Sequence, residues 1–213
     1  MNNGLQAIVF DCDGVILESA DIKSRAIFKL GEPFGPEIQR RFYEHHLRHT
    51  GVSRYEKFAW LYRTELGREI SPEESTRLGH LFAGYCGEAV RQAPFVPGFE
   101  AVLAECQGRL PLFVASGTPH EELCQILAER GLRDKFTAIF GAPPAKSELL
   151  SRIISGNGLR ADRVLMVGDG ETDLQAAHDN GTLFYGRGEL FKDRGLPWSL
   201  DLTGLGKYWR GLV

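Results

Sequence analysis

The sequence has few cysteines, and they are widely spaced. Its 213 residues include only four, and none of them forms a Cys-x-x-Cys pair. They are Cys12, Cys86, Cys106 and Cys124. Disulfide-stapled domains and cysteine-rich zinc sites need denser or more regularly spaced cysteines. We therefore expect four free thiols, most of them buried, in a chain long enough to form a hydrophobic core without such crosslinks.

Long hydrophobic runs and an excess of one charge are also missing. No apolar stretch approaches the roughly 20 residues of a membrane span, and residues 1–6 contain no basic segment followed by a long apolar run. The formal net charge of -3 gives no electrostatic reason to expect nucleic acid as a partner. These absences predict a cytoplasmic globular protein that binds neither membranes nor nucleic acid, and they make no prediction of its oligomeric state.

Apolar runs rich in β-branched and aromatic residues recur along the chain, and helix-forming segments separate them in its second half. The runs cover residues 7–10, 110–115, 138–140, 164–167 and 183–185. Continuous runs of this kind are typical of parallel strands that are buried on both faces. Strands that alternate with helices predict an α/β fold built on a parallel sheet, and a short helix is expected within residues 200–212.

The segment between the first run and residue 93 has helical periodicity throughout. Its predicted helices extend from Ser19 to about Leu30, from Pro36 towards His49, from Ser53 to near Gly67, and onward from Ser71, and the three serines are the predicted N-caps of their helices. Four consecutive helices inside an α/β pattern indicate an insertion. The predicted domains are a catalytic core of residues 1–17 and 93–213 and an all-helical cap domain of residues 18–92.

Two carboxylates follow the first apolar run directly. Open α/β sheets bind ligands beyond the carboxyl ends of their strands, where Asp11 and Asp13 would lie. Alternate residues of an extended segment point the same way, and Gly14 allows the sharp turn that follows. The pair fits a catalytic site, but it also fits an Asx turn that caps the next helix.

Polar residues also follow the second and third strands of the core. Ser116 and Gly117 offer a hydroxyl and backbone N–H groups before a helix, which can hold phosphate oxygens or simply cap that helix. Lys146 begins a helix, where the helix dipole disfavours a cation, so it indicates an anionic partner unless it is a solvated surface lysine.

The fourth strand of the core is followed by Asp169 and Asp173. These carboxylates suit a hard cation such as Mg²⁺, although a capped turn is the simpler alternative. Each motif alone has an ordinary structural explanation. Because four strands in succession are followed by such groups, a shared catalytic site explains them better than four unrelated turns.

In this order the motifs resemble those of the haloacid dehalogenase-like superfamily, and the match spans the chain. They are Asp11-x-Asp13-Gly14, Ser116, Lys146 and Gly168-Asp169-x-x-x-Asp173. The helical insertion falls where one branch of the superfamily carries its C1-type cap, as in enzymes similar to phosphoglycolate phosphatase and beta-phosphoglucomutase. The resemblance implies a Rossmann-like three-layer core and Mg²⁺-dependent phosphoryl transfer.

The resemblance also implies a role for each core residue. Asp11 would be the nucleophile that forms an aspartyl-phosphate, and Asp13 would protonate the leaving oxygen and then activate water. Lys146 would neutralise charge at the reacting group, and Ser116 with Gly117 would hold the transferring phosphoryl group.

The implied metal site uses Asp11, the carbonyl of Asp13, and Asp169 as Mg²⁺ ligands. Asp173 would order the metal's waters or Lys146. Dehalogenases and phosphonate-cleaving enzymes of the superfamily lack the second aspartate of the first motif. The presence of Asp13 therefore disfavours cleavage of carbon–halogen and carbon–phosphorus bonds.

Three residues of the helical insertion are candidates for substrate recognition. Arg54 lies in a Gly-Val-Ser-Arg segment similar to the specificity loop of beta-phosphoglucomutase, where the arginine binds a distal phosphate, although a surface arginine would also fit. Lys23 replaces the histidine that such mutases use, and this favours a phosphatase. His46 is a third residue that would reach the substrate.

The predicted function is a Mg²⁺-dependent phosphatase that hydrolyses a small phosphorylated metabolite, for example a sugar phosphate. The alternatives are a phosphomutase similar to beta-phosphoglucomutase and a non-catalytic module that binds a phosphorylated ligand.

Overall fold

A computed structural model describes residues 4–212, so residues 1–3 and 213 lie outside the description. Six parallel strands form one sheet in the order β3-β2-β1-β4-β5-β6. They are β1 (Ala7–Phe10), β2 (Leu112–Pro119), β3 (Ala138–Ala142), β4 (Val164–Gly168), β5 (Leu183–Arg187) and β6 (Trp198–Ser199). The predicted α/β fold with a parallel sheet is confirmed. The two-residue strand β6 was not predicted.

Nine α-helices are found among residues 4–212. They are α1 (Ala20–Gly31), α2 (Pro36–Arg48), α3 (Arg54–Trp60), α4 (Pro72–Gln92), α5 (Phe99–Cys106), α6 (His120–Glu129), α7 (Lys146–Gly156), α8 (Glu171–Asn180) and α9 (Leu205–Arg210). A π-helical turn, Leu61–Glu65, continues α3. None of these helices combines the length and the apolar character that crossing a lipid bilayer requires.

Strand β1 lies in the middle of the sheet, and its pairing with β2 and β4 aligns the carboxyl ends of these three strands. Phe10, its last residue, pairs with Val114 of β2 and with Val167 of β4. Because parallel strands run in the same direction, the residues that follow these three positions meet at one edge. Side chains of β1 alternate between two apolar clusters, one on each face of the sheet.

Helices α1 to α4 pack mainly against one another. Helix α1 contacts α2 and α4, and α3 contacts α4, around the buried rings of Phe42, Phe58 and Phe82. All four predicted helices of the insertion are present. The division into a core domain and a cap domain stays a prediction.

Two of the three predicted helix caps are not formed as expected. The hydroxyl oxygen of Ser71 accepts a hydrogen bond from the backbone N–H of Glu74 and caps α4 as predicted. Ser19 and Ser53 make no side-chain cap. The hydroxyl of Ser19 instead donates to a carboxylate oxygen of Asp13 at 2.6 Å. The four cysteines are free thiols, and all except Cys124 are buried, as predicted.

Candidate active site

Three carboxylates meet at the carboxyl edge of the sheet. Asp11 follows β1, Asp169 follows β4, and Asp173 lies in the first turn of α8. Each offers one oxygen, and these oxygens lie within 4.8 Å of one another. Gly14, at a φ of 78°, allows this approach, because a Cβ there would overlap the carboxylate of Asp169.

Lys146 inserts its ammonium group into this cluster. Its Nζ lies 3.0 Å from Oδ2 of Asp11 and 2.5 Å from Oδ1 of Asp173, and the side chain is buried. Burial opposes the charged form, but the two carboxylates outweigh it and raise the pKa of Lys146. Lys146 is therefore a buried cation, and the solvated surface lysine considered above is excluded.

The carboxylates outnumber the cations at this edge. Burial is the main cause that raises the pKa of Asp11 to about 7; Lys146 lowers that pKa and Asp173 raises it further. Burial, followed by the charge of Asp11, raises the pKa of Asp169 well above its ordinary value. Within residues 4–212, no lysine or arginine forms an ion pair with Asp169. Hard oxygen donors with uncompensated negative charge fit a divalent cation such as Mg²⁺.

The Asp13 carboxylate has different surroundings. Oδ2 accepts hydrogen bonds from Nζ of Lys23 at 2.5 Å and from Oγ1 of Thr118 at 2.9 Å, while Oδ1 accepts the Ser19 bond. Although burial opposes ionisation, Lys23 and these hydrogen bonds lower the pKa of Asp13. The pKa values of Asp11 and Asp13 are thus shifted in opposite directions, because Asp13 accepts three hydrogen bonds, one of them from a cation, whereas the effect of burial dominates at Asp11.

Ser116 and Gly117 end the regular part of β2 beside these carboxylates. Oγ of Ser116 accepts the backbone N–H of Thr118 at 3.2 Å, and the Ser116 side chain is buried. A Cβ at Gly117 would overlap the carbonyl oxygen of Gly51 in the loop between α2 and α3. Thr172 also contacts this loop, donating to the carbonyl of Thr50 at 2.8 Å. The helical insertion therefore contacts the sheet edge directly.

A cavity of about 70 Å³ lies between the sheet edge and the helical insertion. The predicted site residues that line it are Asp11, Asp13, Ser116, Gly117 and Asp169 from the sheet, and Lys23, His46 and Arg54 from the helices. Lys146 and Asp173 do not line the cavity and contact each other beside Asp11. All the predicted site residues are therefore in or next to one cavity.

Two of the three recognition candidates of the insertion, His46 and Arg54, are buried, and Lys23 is partly buried. Arg54 forms an ion pair with Glu122 at 2.6 Å, and its guanidinium group lies 4.4 Å from the ring centroid of Phe82. His46 lies between Oγ of Ser24 and Nζ of Lys57, each 2.9 Å from a ring nitrogen. The surface position considered for Arg54 is therefore wrong.

Among the residues that line this cavity or contact Asp13, sequence reasoning gave no role in the site to Ser19, Thr118 and Lys57. Thr118 follows Ser116 by two residues, and its place next to that motif was a usable signal. Lys57 follows Arg54 by three residues, which places both on one face of α3. Nothing local to Ser19 distinguishes a cap from a hydrogen bond to Asp13.

Gly117→Ala is expected to separate the loop between α2 and α3 from the sheet edge. The added methyl group would occupy the position of the Gly51 carbonyl oxygen, so the loop must move, and displacement of this kind costs ~10–100-fold in kcat. Steady-state phosphatase assays would measure the loss. Gly156→Ala at the end of α7 is the matched control, because its Cβ meets open space. Equal activities of the two variants would contradict the role given to this contact.

The fold and the site together define an α/β enzyme whose acidic centre is suited to a metal ion. The sequence matches the family described as haloacid dehalogenase-like hydrolase over residues 5–181. The chain belongs to this family, which confirms the resemblance and the prediction of a hydrolase.

Two curated relatives are similar to the chain along most of its length, and a solved structure has the same fold. The chain is 27% identical over 195 residues to a phosphoglycolate phosphatase of Synechococcus elongatus, covering 89% of this chain and 87% of that protein. It is 26% identical over 196 residues to a phosphoglycolate phosphatase of Vibrio cholerae, covering 85% and 84%. A beta-phosphoglucomutase structure from Clostridium difficile has the same fold, with a TM-score of 0.80, 21% identity, and 97% and 96% coverage.

Proposed function

We propose that the protein is a Mg²⁺-dependent phosphatase that hydrolyses a small phosphorylated metabolite through an aspartyl-phosphate on Asp11. The observation that carries this proposal is the setting of Asp11, which contacts Lys146, shares an acidic cluster with Asp169, and faces the same cavity as Asp13. Both curated relatives are phosphatases, which supports the reaction type. The cavity has room for roughly five water molecules, which supports a small substrate.

The first half of the proposed reaction transfers the phosphoryl group to the protein. An oxygen of Asp11 attacks phosphorus, and the bond from phosphorus to the ester oxygen breaks. Ser116 and the backbone N–H of Gly117 hold phosphoryl oxygens, while Lys146 offsets negative charge at the nucleophile. Mg²⁺, when held by Asp11, the Asp13 carbonyl and Asp169 with Asp173 ordering its waters, would reduce the repulsion between nucleophile and substrate.

Asp13 would act as the acid and base of both halves. It gives a proton to the leaving ester oxygen and later takes one from the water that hydrolyses the aspartyl-phosphate. Its lowered pKa favours the ionised form, which is the form needed to accept a proton from water, whereas donation to the leaving oxygen needs the protonated form, which the negative charge of a bound phosphoryl group would favour by raising this pKa. Lys23 and Thr118, which both contact Asp13, would orient its carboxylate.

The surroundings of Arg54 support a phosphatase over a phosphomutase. A mutase of the type considered above needs its arginine for the distal phosphate of a sugar bisphosphate, whereas Arg54 is paired with Glu122. The ion pair between Lys23 and Asp13 also supports a phosphatase, because the mutase pattern has a histidine at the position of Lys23.

Phosphate release from a panel of small phosphomonoesters tests the proposal, and removal of metal is expected to abolish it. Chelation should lower kcat/KM by at least ~100-fold, and added Mg²⁺ should restore it, because the charge around Asp11 and Asp169 would again be compensated. Unchanged turnover in excess chelator would contradict the proposed metal dependence.

Interconversion of hexose phosphates with a bisphosphate primer and without net phosphate release would identify a mutase. Absence of both activities, with no beryllium fluoride adduct on Asp11, would identify a binding module.

A further inference from the structure

Three cationic side chains reach the cavity from the helical insertion, and one of them has no anionic partner. Lys23 pairs with Asp13, and Arg54 pairs with Glu122. Lys57 lies on the same face of α3 as Arg54 and lines the cavity, but it forms no ion pair with any carboxylate of residues 4–212. Only 4% of its surface is exposed, so water compensates little of its charge.

A chain of hydrogen bonds fixes the position of the Lys57 ammonium group. The Ser24 hydroxyl donates to the carbonyl of Ala20 at 2.9 Å, so it accepts from Nε2–H of His46 at 2.9 Å. Burial, followed by the charge of Lys57, lowers the pKa of His46 to about 3, so the ring is neutral. Its Nδ1 therefore accepts one N–H of Lys57 at 2.9 Å. The other two N–H groups of Lys57 are not used in this chain.

The burial of Lys57 has an electrostatic cost that the protein alone does not offset. Burial is the main cause that lowers the pKa of Lys57 to about 7, and the charge of Lys23 adds to it. A methionine or leucine would fill the same space without that cost. A perturbed cation at the wall of a substrate cavity is typical of a functional position. An anion that enters the cavity would supply the missing partner.

We propose that Lys57 is a specificity-determining residue that binds a second anionic group, a carboxylate or a second phosphate, on the leaving part of the substrate. The inference rests on the proposed function, because it places the transferring phosphoryl group at Asp11 and Ser116 on the sheet side. Lys57 approaches from the helical side, where the leaving part would lie. His46 is the positioning residue, since its Nδ1 holds the ammonium group in place.

Three two-carbon compounds test this proposal. Each carries a phosphoryl group at one end, and they differ in the group at the other end, which is called the tail. They are 2-phosphoglycolate, ethane-1,2-diol bisphosphate and 2-hydroxyethyl phosphate. We expect the wild type to prefer an anionic tail over the hydroxyl tail, and the preferred tail identifies the anion. Lys57→Met should lower kcat/KM for the compound with the preferred anionic tail by ~10–100-fold, mainly by raising KM. The same variant should change kcat/KM for 2-hydroxyethyl phosphate by less than ~3-fold.

Two further variants separate recognition from general damage. Lys192→Met removes an exposed lysine outside the cavity and should leave kcat/KM unchanged for all three compounds. His46→Asn should weaken the preference for the anionic tail in KM, because the ammonium group of Lys57 would lose the ring nitrogen that holds it in place. Equal losses on all three compounds in Lys57→Met, or a wild type without preference for either anionic tail, would overturn the proposal.

Calorimetric titration separates failure of this inference from failure of the proposed function. The three compounds are titrated into the Asp11→Asn chain with and without Lys57→Met, so the measurement needs no turnover. A tail preference that depends on Lys57 in a protein without phosphatase activity would overturn only the proposed reaction. Phosphatase activity with no dependence of binding on Lys57 would overturn only the role of Lys57.

Discussion

Asp11→Asn is expected to lower kcat by ~10⁴-fold or more, because a neutral carboxamide cannot attack phosphorus. The substitution keeps the size of the side chain and the hydrogen bond that its Oδ1 accepts from the backbone N–H of Cys12 at 2.7 Å. Lys146 retains Asp173 as a partner, so the buried ammonium group is not left unpaired. The loss should therefore be chemical and not structural.

The measurement for Asp11→Asn combines phosphate release with acid quenching and mass spectrometry of the protein. Wild-type protein should carry a phosphoryl group on Asp11 during turnover, and the variant should carry none. Asp162→Asn is a suitable control, because Asp162 is an exposed carboxylate that pairs with Arg160 outside the cavity. Turnover that persists in Asp11→Asn, after deamidation has been excluded, would rule out the aspartyl-phosphate mechanism.

The part of this site that sequence reasoning predicted is the part that strand order and register determine. Asp11 and Asp169 each follow an apolar run, and parallel strands of one sheet necessarily end at the same edge. Lys146 was recognisable because a cation at a helix start conflicts with the helix dipole. The contact of its ammonium group with Asp11 and Asp173 explains that conflict.

The recognition side of the cavity was much harder to predict, because its character depends on contacts between distant segments. Arg54 is paired with Glu122, which lies 68 residues further along the chain. Lys57 was identified as a candidate because it forms no ion pair with a carboxylate of residues 4–212. Local sequence patterns do not predict whether a buried lysine will have such a partner. The roles of His46 and Ser24 likewise depend on how α1, α2 and α3 pack, which helical periodicity alone does not specify.

Asp13→Asn is expected to affect the two halves of the reaction differently. With an alkyl phosphate, the leaving oxygen needs a proton, so the variant should lose ~10²–10⁴-fold in kcat. With p-nitrophenyl phosphate, the leaving group departs without a proton, so the first half should survive. The second half still needs a base for water. Asp13→Asn should therefore release one equivalent of p-nitrophenol rapidly and then accumulate phosphoprotein.

Rapid-quench measurement of p-nitrophenol and of protein-bound phosphate would test this difference. Asp13→Asn also removes the anionic partner of Lys23, so Lys23→Met in the same background separates the loss of the acid–base group from the cost of an unpaired, partly buried ammonium. Asp134→Asn, at an exposed aspartate away from the cavity, provides the control.

If both substrates slow equally and no phosphoprotein accumulates, Asp13 does not act as the acid and base, and its position beside Lys23 has a purely structural role. A burst that survives in the double variant would instead show that the carboxylate, and not its ion pair, is needed to activate water.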